Sequence, residues 1–493
     1  MKKNVVIIGA GFAGLSAAAF MAKAGWDVMV LEKNLTAGGR AKQLKAEGFT
    51  FDMGPSWYWM PDVFERFFHS FNKKVSDYYS LQRLDPSYRV YWENETADIP
   101  ANYNELKKLF ESIEPGSAQK LDHYLKEALL KYQIGIQDLV YKPGQSLTEF
   151  LDWKVVRNVF KLDVFTSIKS HVAKHFTNPR LRQLMEFPIL FLGALPEHTP
   201  ALYSLMNYAD IIGGTWYPQG GMFSIVKAMQ SLAEELGAVF HFDEAVTEIS
   251  IDKGRAKKLV TNKSTYTADA IISGADYHFT EAHLLPEEYR TYTEKYWSKK
   301  VLAPSCLIYY VGINKTLPGL VHHSLFFDVP FDQHASEIYS KPQWPEDPLF
   351  YLSITSKTDP DVAPPGCENL FFLIPIASGL ENDSEELRNH YFQLIVKRLE
   401  ARCGENVSDS IVYKKSFSVS DFVQDYNSYK GNAYGLANTL TQTAVFRPSC
   451  QSKKVKNLFY TGQFTVPGPG VPPSLISGEV VSKQVIKSFN HQL

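Results

Sequence analysis

The feature that most constrains this chain is a strand, a glycine-rich turn, a helix and a second strand packed into its first 32 residues. Residues 5–8 (Val-Val-Ile-Ile) read as a short buried parallel strand. Gly9-Ala10-Gly11-Phe12-Ala13-Gly14 follows at once. Residues 15–24 read as a helix ended by Gly25, and residues 27–31 as a second strand closed by Glu32. This is a βαβ unit with G-x-G-x-x-G in its turn. Gly9 allows the tight turn, Gly11 a close backbone approach to pyrophosphate, and Gly14 the packing of helix on strand. Ala10, Phe12 and Ala13 complete the turn, and the helix amino terminus offers free N–H groups to phosphates. Glu32 stands 18 residues after Gly14, where an acid, with Lys33 beside it, can accept both hydroxyls of an adenosine ribose. A 2′-phosphate would be repelled there, so the turn reads as a site for FAD or NAD.

Length and composition set bounds around that unit. The chain has 493 residues, of which 45% are hydrophobic and 21% charged, values of a globular protein with two or three interleaved domains. Disordered, collagen-like and coiled-coil classes are excluded. A formal net charge of −2 gives no electrostatic footprint for nucleic acid. Aromatic residues reach 14%, which fits a packed core, a large apolar cavity or a surface that meets something greasy. Cys306, Cys367, Cys403 and Cys450 show no metal-ligand spacing, so neither a zinc site nor a disulfide framework is expected from them, and a reducing cytoplasm fits. Lys2 and Lys3 before an apolar run mimic a secretory signal, but Gly9, Gly11 and Gly14 break that run. No stretch offers about 18 uninterrupted apolar residues, so a spanning helix is not expected.

The residues beyond Glu32 separate the two dinucleotides. Gly38-Gly39-Arg40 comes directly after the second strand, and Asp52-Met53-Gly54-Pro55-Ser56 a short hairpin later. Arg40 can neutralise a pyrophosphate, and the glycines let the chain pass under it. These motifs resemble the flavin amine oxidase superfamily, which includes carotenoid desaturases and protoporphyrinogen oxidase. The resemblance implies FAD, lying along the second glycine-rich stretch, with a backbone contact to its adenine at Val246. Residues 217–222 and 270–276 are similar to further segments of that FAD domain. Near the carboxyl end, residues 457–462 read as a last parallel strand, 463–473 as a Pro/Gly loop and 474–489 as an amphipathic helix. Matches from residue 5 to about 485 resemble the bacterial phytoene-desaturase type of carotenoid desaturase. Gly462, Gln463, Gly470, Val471 and Pro472 are thereby assigned to the flavin. A helix amino terminus at Pro472 and Pro473 would stabilise negative charge on a reduced flavin ring. Two departures are evident. Thr465-Val466-Pro467 stands where many relatives have Thr-His-Pro, and Gln463 where an acid is common, so no acid/base role is carried over.

The expected fold is α/β (α+β): a Rossmann-like FAD-binding domain with an interleaved substrate-binding domain and a helical membrane-facing region. The FAD-binding domain is expected at 1–56, 216–279 and 451–493, the substrate-binding domain at 57–150 and 280–450, and the membrane-associating helices at 151–215. Within 151–182, seven basic residues (Lys154, Arg157, Lys161, Lys169, Lys174, Arg180, Arg182) face two acids, Asp152 and Asp163, with aromatics interleaved. That pattern suits an interfacial helix on an anionic bilayer or an ordinary surface helix pair. The apolar run 187–195 is expected to dip into lipid or line a tunnel mouth.

The resemblance implies an enzyme that removes hydrogens from a C40 carotenoid, by hydride transfer to flavin N5, in an apolar tunnel. It would be cytoplasmic and peripheral on the inner face of the cell membrane, contacting it through about residues 151–195. Phytoene-type desaturation is the family default, and single 3,4-desaturation of an acyclic or hydroxylated carotenoid the other reading. A carotenoid cis–trans isomerase, another oxidase of the superfamily and a non-enzymatic isoprenoid binder remain open. Trp216, Tyr217 and Phe464 are candidates to stabilise a cation, no catalytic side chain is assigned, and no metal is expected.

Overall fold

The computed structural model describes residues 2–137, 139–146, 163, 166–190 and 193–490. Its amino-terminal strand, Asn4–Ile8, sits mid-sheet in a five-stranded sheet whose order is Leu458–Tyr460, Ala270–Ser273, Asn4–Ile8, Asp27–Leu31, Val239–His241. Every neighbouring pair is parallel. Such strands bury both faces, which is why Val5 to Ile8 and Ala270 to Ser273 are continuous apolar or small-residue runs. Side chains still alternate. Val5, Ile7, Val30 and Ile272 pack with the helices Phe12–Lys23, Phe223–Glu235 and Val471–Asn490. Val6, Ile8, Ile271 and Leu458 pack with Ile249 and Leu259 of a three-stranded antiparallel sheet that covers the other face.

A seven-stranded mixed sheet forms the second body of the fold. Ser305–Ile313 and Glu368–Ile376, its second and third strands, pair antiparallel along their full length. Leu307, Tyr309 and Val311 pack with Tyr391, Phe392 and Ile395 of the long helix Glu385–Cys403. Ile308, Tyr310, Tyr351 and Leu373, on the opposite face, join the largest apolar cluster together with residues of the helices Ser117–Gln137 and Pro179–Leu190. The expected mixture of a Rossmann-like sheet and a second sheet with helices is therefore what the chain adopts.

The expectation for residues 187–195 needs correction. Phe187, Ile189, Ala194 and Leu195 are buried, and Phe187 rings against Trp57, Tyr88 and Phe327, so the described members of this run are core. An apolar run bounded by core partners gains more from close packing than from lipid. Of the basic stretch, Lys154, Arg157 and Lys161 lie outside the described residues. Further on, Lys169 pairs with Glu197 at 3.0 Å, Arg180 with Glu95, and Arg182 Nε donates to the Phe176 carbonyl at 2.8 Å. These later cations are engaged by the protein's own surface. Among the described residues no helix is long and apolar enough to cross a membrane.

Candidate active site

A cavity of about 980 Å³ opens at the carboxyl ends of the parallel strands, where Ile8 and Leu31 line it, and runs on to Ile308, Tyr351 and Leu373 of the seven-stranded sheet. This is at the large end of ligand cavities. The switch point of an open parallel sheet is where such a cavity is expected.

Its first arm is built mostly of backbone. Gly9, Gly11, Phe12, Ala13, Glu32, Lys33, Gly38, Gly39, Arg40, Gly54, Pro55, Ser56 and Val246 all line it, as do Gly462, Gln463, Gly470, Val471 and Pro472. Ala10 and Gly14 stand behind the wall. A Cβ on Gly14 would lie 2.0 Å from the Gly9 carbonyl oxygen, so this position serves the helix–strand contact. A Cβ on Gly11 meets no protein atom within 4 Å, because Gly11 faces the cavity. The two glycine loops touch each other: Gly38 N–H donates to the Ala10 carbonyl at 2.9 Å, and a Cβ on Gly39 would lie 3.3 Å from Gly11 Cα.

The polar groups of this arm are mostly fixed by the protein itself. Glu32 is 4% exposed; its Oε2 accepts from Ala10 N–H at 2.7 Å, and Oε1 from the Asn34 amide N–H and Nδ2 at 2.9 and 2.8 Å. A carboxylate offers about four acceptor sites. Roughly one is left, which narrows the expected contact to both ribose hydroxyls. Lys33 Nζ donates to the Gln424 carbonyl at 2.9 Å and to Asn427 Oδ1 at 3.3 Å, tying the strand end to the segment 424–427. Arg40 Nη2 donates to Ser428 Oγ and the Asn432 carbonyl, and its guanidinium lies over Tyr426. Burial pulls Arg40 below the ordinary guanidinium range, against the opposing charge of Asp276. Its Nε is buried with no hydrogen-bond partner among the described residues. An orphan guanidinium donor on a cavity wall, with Gly11 leaving space beside it, fits a diphosphate.

Asp52 explains why the segment after Tyr217 follows this loop. Its carboxylate accepts from Met222 N–H at 2.7 Å and Phe223 N–H at 3.1 Å, at the start of the helix Phe223–Glu235. Burial pushes its carboxyl up to about 7 against the pull of those two N–H donors, and nearby Asp359 adds a smaller push.

At the carboxyl-terminal loop, Ser477 Oγ accepts from Gly462 N–H at 2.9 Å and lies 3.0 Å from both Thr461 and Thr465 hydroxyls. The helix Val471–Asn490 starts on the cavity. Pro472 and Pro473 have no N–H and Ser474 N–H is bonded to the Gly470 carbonyl, so Val471 N–H is the donor of that turn left without a backbone acceptor among the described residues. Sequence reasoning missed Arg447, which is 5% exposed and donates to the Gln463 and Leu436 carbonyls at 3.0 and 3.1 Å. Burial pulls it down to about 10. No local motif announces it, since its partners lie up to 16 residues away.

The second arm is apolar. Ile136, Leu139, Leu202, Met206, Ile308 and Leu373 line it, with Trp57, Trp59, Tyr203 and Tyr434. Val466 also lines the cavity, so the place of the family's common His is filled by an aliphatic side chain. Phe464 is in the wall, but Trp216 and Tyr217 are not; Tyr217 is buried with its hydroxyl donating to Asp359 at 3.1 Å. One polar pair interrupts this arm. Tyr351 Oη lies 2.7 Å from Nδ1 of His323, which is 1% exposed and stacks on Trp57 at 4.4 Å. Burial holds His323 well below the usual imidazole range, hence neutral, and its Nε2 has no partner among the described residues.

Residues 12–486 match the family model described as "Flavin containing amine oxidoreductase". The chain belongs to that family. This flavin oxidoreductase is 42% identical over 489 residues to a carotenoid 3,4-desaturase of Haloarcula japonica, covering 99% of each chain. It is 32% identical to a zeta-carotene-forming phytoene desaturase of Myxococcus xanthus, covering 98% of this chain and 94% of the relative. Among solved structures, an oxidoreductase from Methanosarcina mazei matches with a TM-score of 0.63 at 17% identity, covering 98% of this chain and all of the other, a likeness of fold. The expected enzyme class and cofactor hold: the chain is an FAD-dependent oxidoreductase.

Proposed function

We propose that this flavin oxidoreductase desaturates a C40 carotenoid, inserting a double bond and lengthening its conjugation. The observation that carries the reading is one continuous cavity with a backbone-lined dinucleotide cradle at one end and an apolar, aromatic arm at the other. The full-length 42% relative favours single 3,4-desaturation over the multistep phytoene-type reaction, for which the relative is at 32%. Gly11, Gly38, Gly39 and the orphan Arg40 Nε would hold the diphosphate, Glu32 the ribose, Val246 the adenine, and the 462–472 loop the ring end. Bound there, FAD supplies the hydride acceptor. The chain's residues do the rest: the apolar arm excludes water and aligns the saturated C–C bond, and Phe464 offers an aromatic face to developing positive charge. The proton released with the hydride needs an acceptor. Tyr351 can relay it: the phenol takes that proton while passing its own to Nδ1 of the neutral His323 imidazole, which ends as imidazolium.

The corresponding division of the chain is FAD-binding at 1–56, 216–279 and 451–493, substrate-binding at 57–150 and 280–450, and membrane-associating within 151–215, the described part of 187–195 excepted because it is core. A C40 polyene is insoluble in water, which supports peripheral contact with the inner face of the membrane. Lys169, Arg180 and Arg182 are engaged elsewhere and Lys174 is exposed, so the test takes the three amino-terminal cations, Lys154, Arg157 and Lys161. Replacing those three by Glu should release the protein from anionic liposomes, and unchanged co-sedimentation would retire the membrane reading.

Pigment analysis tests the activity. The enzyme is expressed in strains that each accumulate phytoene, lycopene or a 1-hydroxylated monocyclic carotene. A bathochromic shift with a mass loss of about two per step, the two hydrogens removed at the flavin, is expected in one strain. A changed elution time at constant mass would mean an isomerase, and no change in any strain would point to another oxidase.

A further inference from the structure

The helix Ser117–Gln137 and the short helix Ile168–His175 face each other beyond the cavity wall. Each carries a pair of candidate ligands four residues apart, His123 and Glu127 on one, His171 and His175 on the other. Spacing of four puts both side chains of a pair on one helical face. Glu127, His171 and His175 bring one ligand atom each within 4.8 Å of one another. Glu127 Oε2 lies 3.5 Å from His171 Nε2 and 3.7 Å from His175 Nε2, while His123 Nε2 is 3.3 Å from Oε1.

These distances are the informative part. Imidazole–carboxylate hydrogen bonds would close to about 2.7–2.9 Å. The ligand atoms of a tetrahedral ion with bonds of about 2.0–2.2 Å lie roughly 3.3–3.6 Å apart. The two contacts to Oε2 match the second spacing better than the first. Two imidazoles and a carboxylate form a nitrogen-rich set that suits Zn²⁺, Ni²⁺ or Co²⁺ and disfavours Mg²⁺ and Ca²⁺, which take oxygen. His175 is half-buried and His123 largely exposed, so an ion can reach the site from solvent. We infer that Glu127, His171 and His175 bind a divalent transition-metal ion of the zinc type, with His123 holding the second carboxylate oxygen. Such an ion would staple the two helices that bracket residues 138–167, and so fix the cavity wall at Gly135 and Ile136.

One neighbour opposes it. The Lys131 ammonium, wholly buried, is 3.4 Å from His171 Nε2 and 2.9 Å from Asp163 Oδ2. Coordination takes the imidazole lone pair that this ammonium now faces, leaving Lys131 to Asp163. Lys174 adds a second, exposed positive charge nearby. This gives the test a variant that should gain affinity.

The experiment titrates tag-free, FAD-loaded protein with Co²⁺, read by its visible d–d bands, followed by displacement with Zn²⁺. One equivalent is expected per chain. The His171→Ala/His175→Ala variant should bind at least ~100-fold more weakly and His123→Ala roughly 10–100-fold more weakly, as supporting residues do. Lys131→Met should bind about tenfold more tightly, since the competing cation is gone. Flavin absorbance reports whether each variant is folded. If the double variant loses flavin, half-buried His175→Ala alone and Lys131→Met decide. No saturable binding, or binding that neither His175→Ala nor Lys131→Met alters, overturns the site.

Discussion

At the dinucleotide end of the cavity the wall is main chain: Gly11, Gly38, Gly39 and Gly462 present peptide groups, and the side chains that help them, Glu32 and Arg40, are held by bonds within the protein. At the apolar end the wall is side chain, contributed by Trp57, Leu202, Ile308, Tyr351, Leu373 and Tyr434 from segments far apart in sequence. A backbone cradle tolerates little change in residue type, because a Cβ either fits or collides. A side-chain wall tolerates exchange among apolar residues of similar volume. One arm can thus stay constant while the other is retuned for a different polyene, as expected where function lives in a site grafted on a shared fold.

Two alanine substitutions in one motif should split the first arm into its structural and binding parts. Gly14→Ala, whose Cβ would sit 2.0 Å from the Gly9 carbonyl oxygen, is expected to cost at least ~3 kcal/mol or prevent folding, read by chemical denaturation or soluble yield. Gly11→Ala meets no protein atom and keeps an ordinary extended φ of −74°, so the chain should fold as before. Its flavin content after desalting should nonetheless fall at least ~10-fold, because the methyl occupies space reserved for the diphosphate. Equal flavin in both proteins would remove the contrast between cradle and scaffold.

The apolar arm should respond differently. Tyr351→Phe keeps ring and volume but deletes the hydroxyl on His323, so flavin content should be unchanged while turnover drops about 100-fold. A drop in flavin content instead would mean that the arms are not separable. The smallest effect is expected behind the wall, where Thr215 accepts from Trp59 Nε1 at 2.9 Å and lies 3.4 Å from buried Asp210, itself the acceptor of the Tyr88 hydroxyl. Burial pushes the Asp210 carboxyl up to about 7. A carboxyl raised in the folded state stabilises it fully below the ordinary range near 4, and that contribution is lost as pH rises through about 7. Asp210→Asn should therefore flatten the fall in Tm between those limits, with turnover changed less than ~2-fold. An unchanged slope would show that this carboxyl is ordinary.

How much of this could be read from the sequence differs between the arms for the same reason. Gly9 to Gly14, Glu32, Gly38 to Arg40 and Gly54 to Ser56 lie within one stretch of 56 residues, so spacing alone proposes that they share a site. Lys33 and Glu32 show the limit of that reasoning: both are where expected, but the protein consumes most of their bonding capacity. Trp216 and Tyr217 neighbour a motif in sequence yet stand outside the wall, whereas Arg447, which belongs to no motif, holds the Gln463 backbone. The run at 187–195 reads as a lipid-facing stretch by composition, and burial against Trp57 and Tyr88 makes its described part core.

By itself the sequence determined the βαβ unit and the second glycine loop, which follow from short-range spacing and strand periodicity, while the flavin class and the mixed α/β architecture came from the resemblance those motifs carry. Only the tertiary structure decided that Arg40 keeps an unpartnered donor, that Tyr351 rests on His323, and that His171 and His175 converge on Glu127. Hydrogen bonds and close packing act over a few ångströms of space. Where the chain returns after 28 residues (Tyr351 to His323) or 44 (Glu127 to His171), local pattern carries no trace of the meeting.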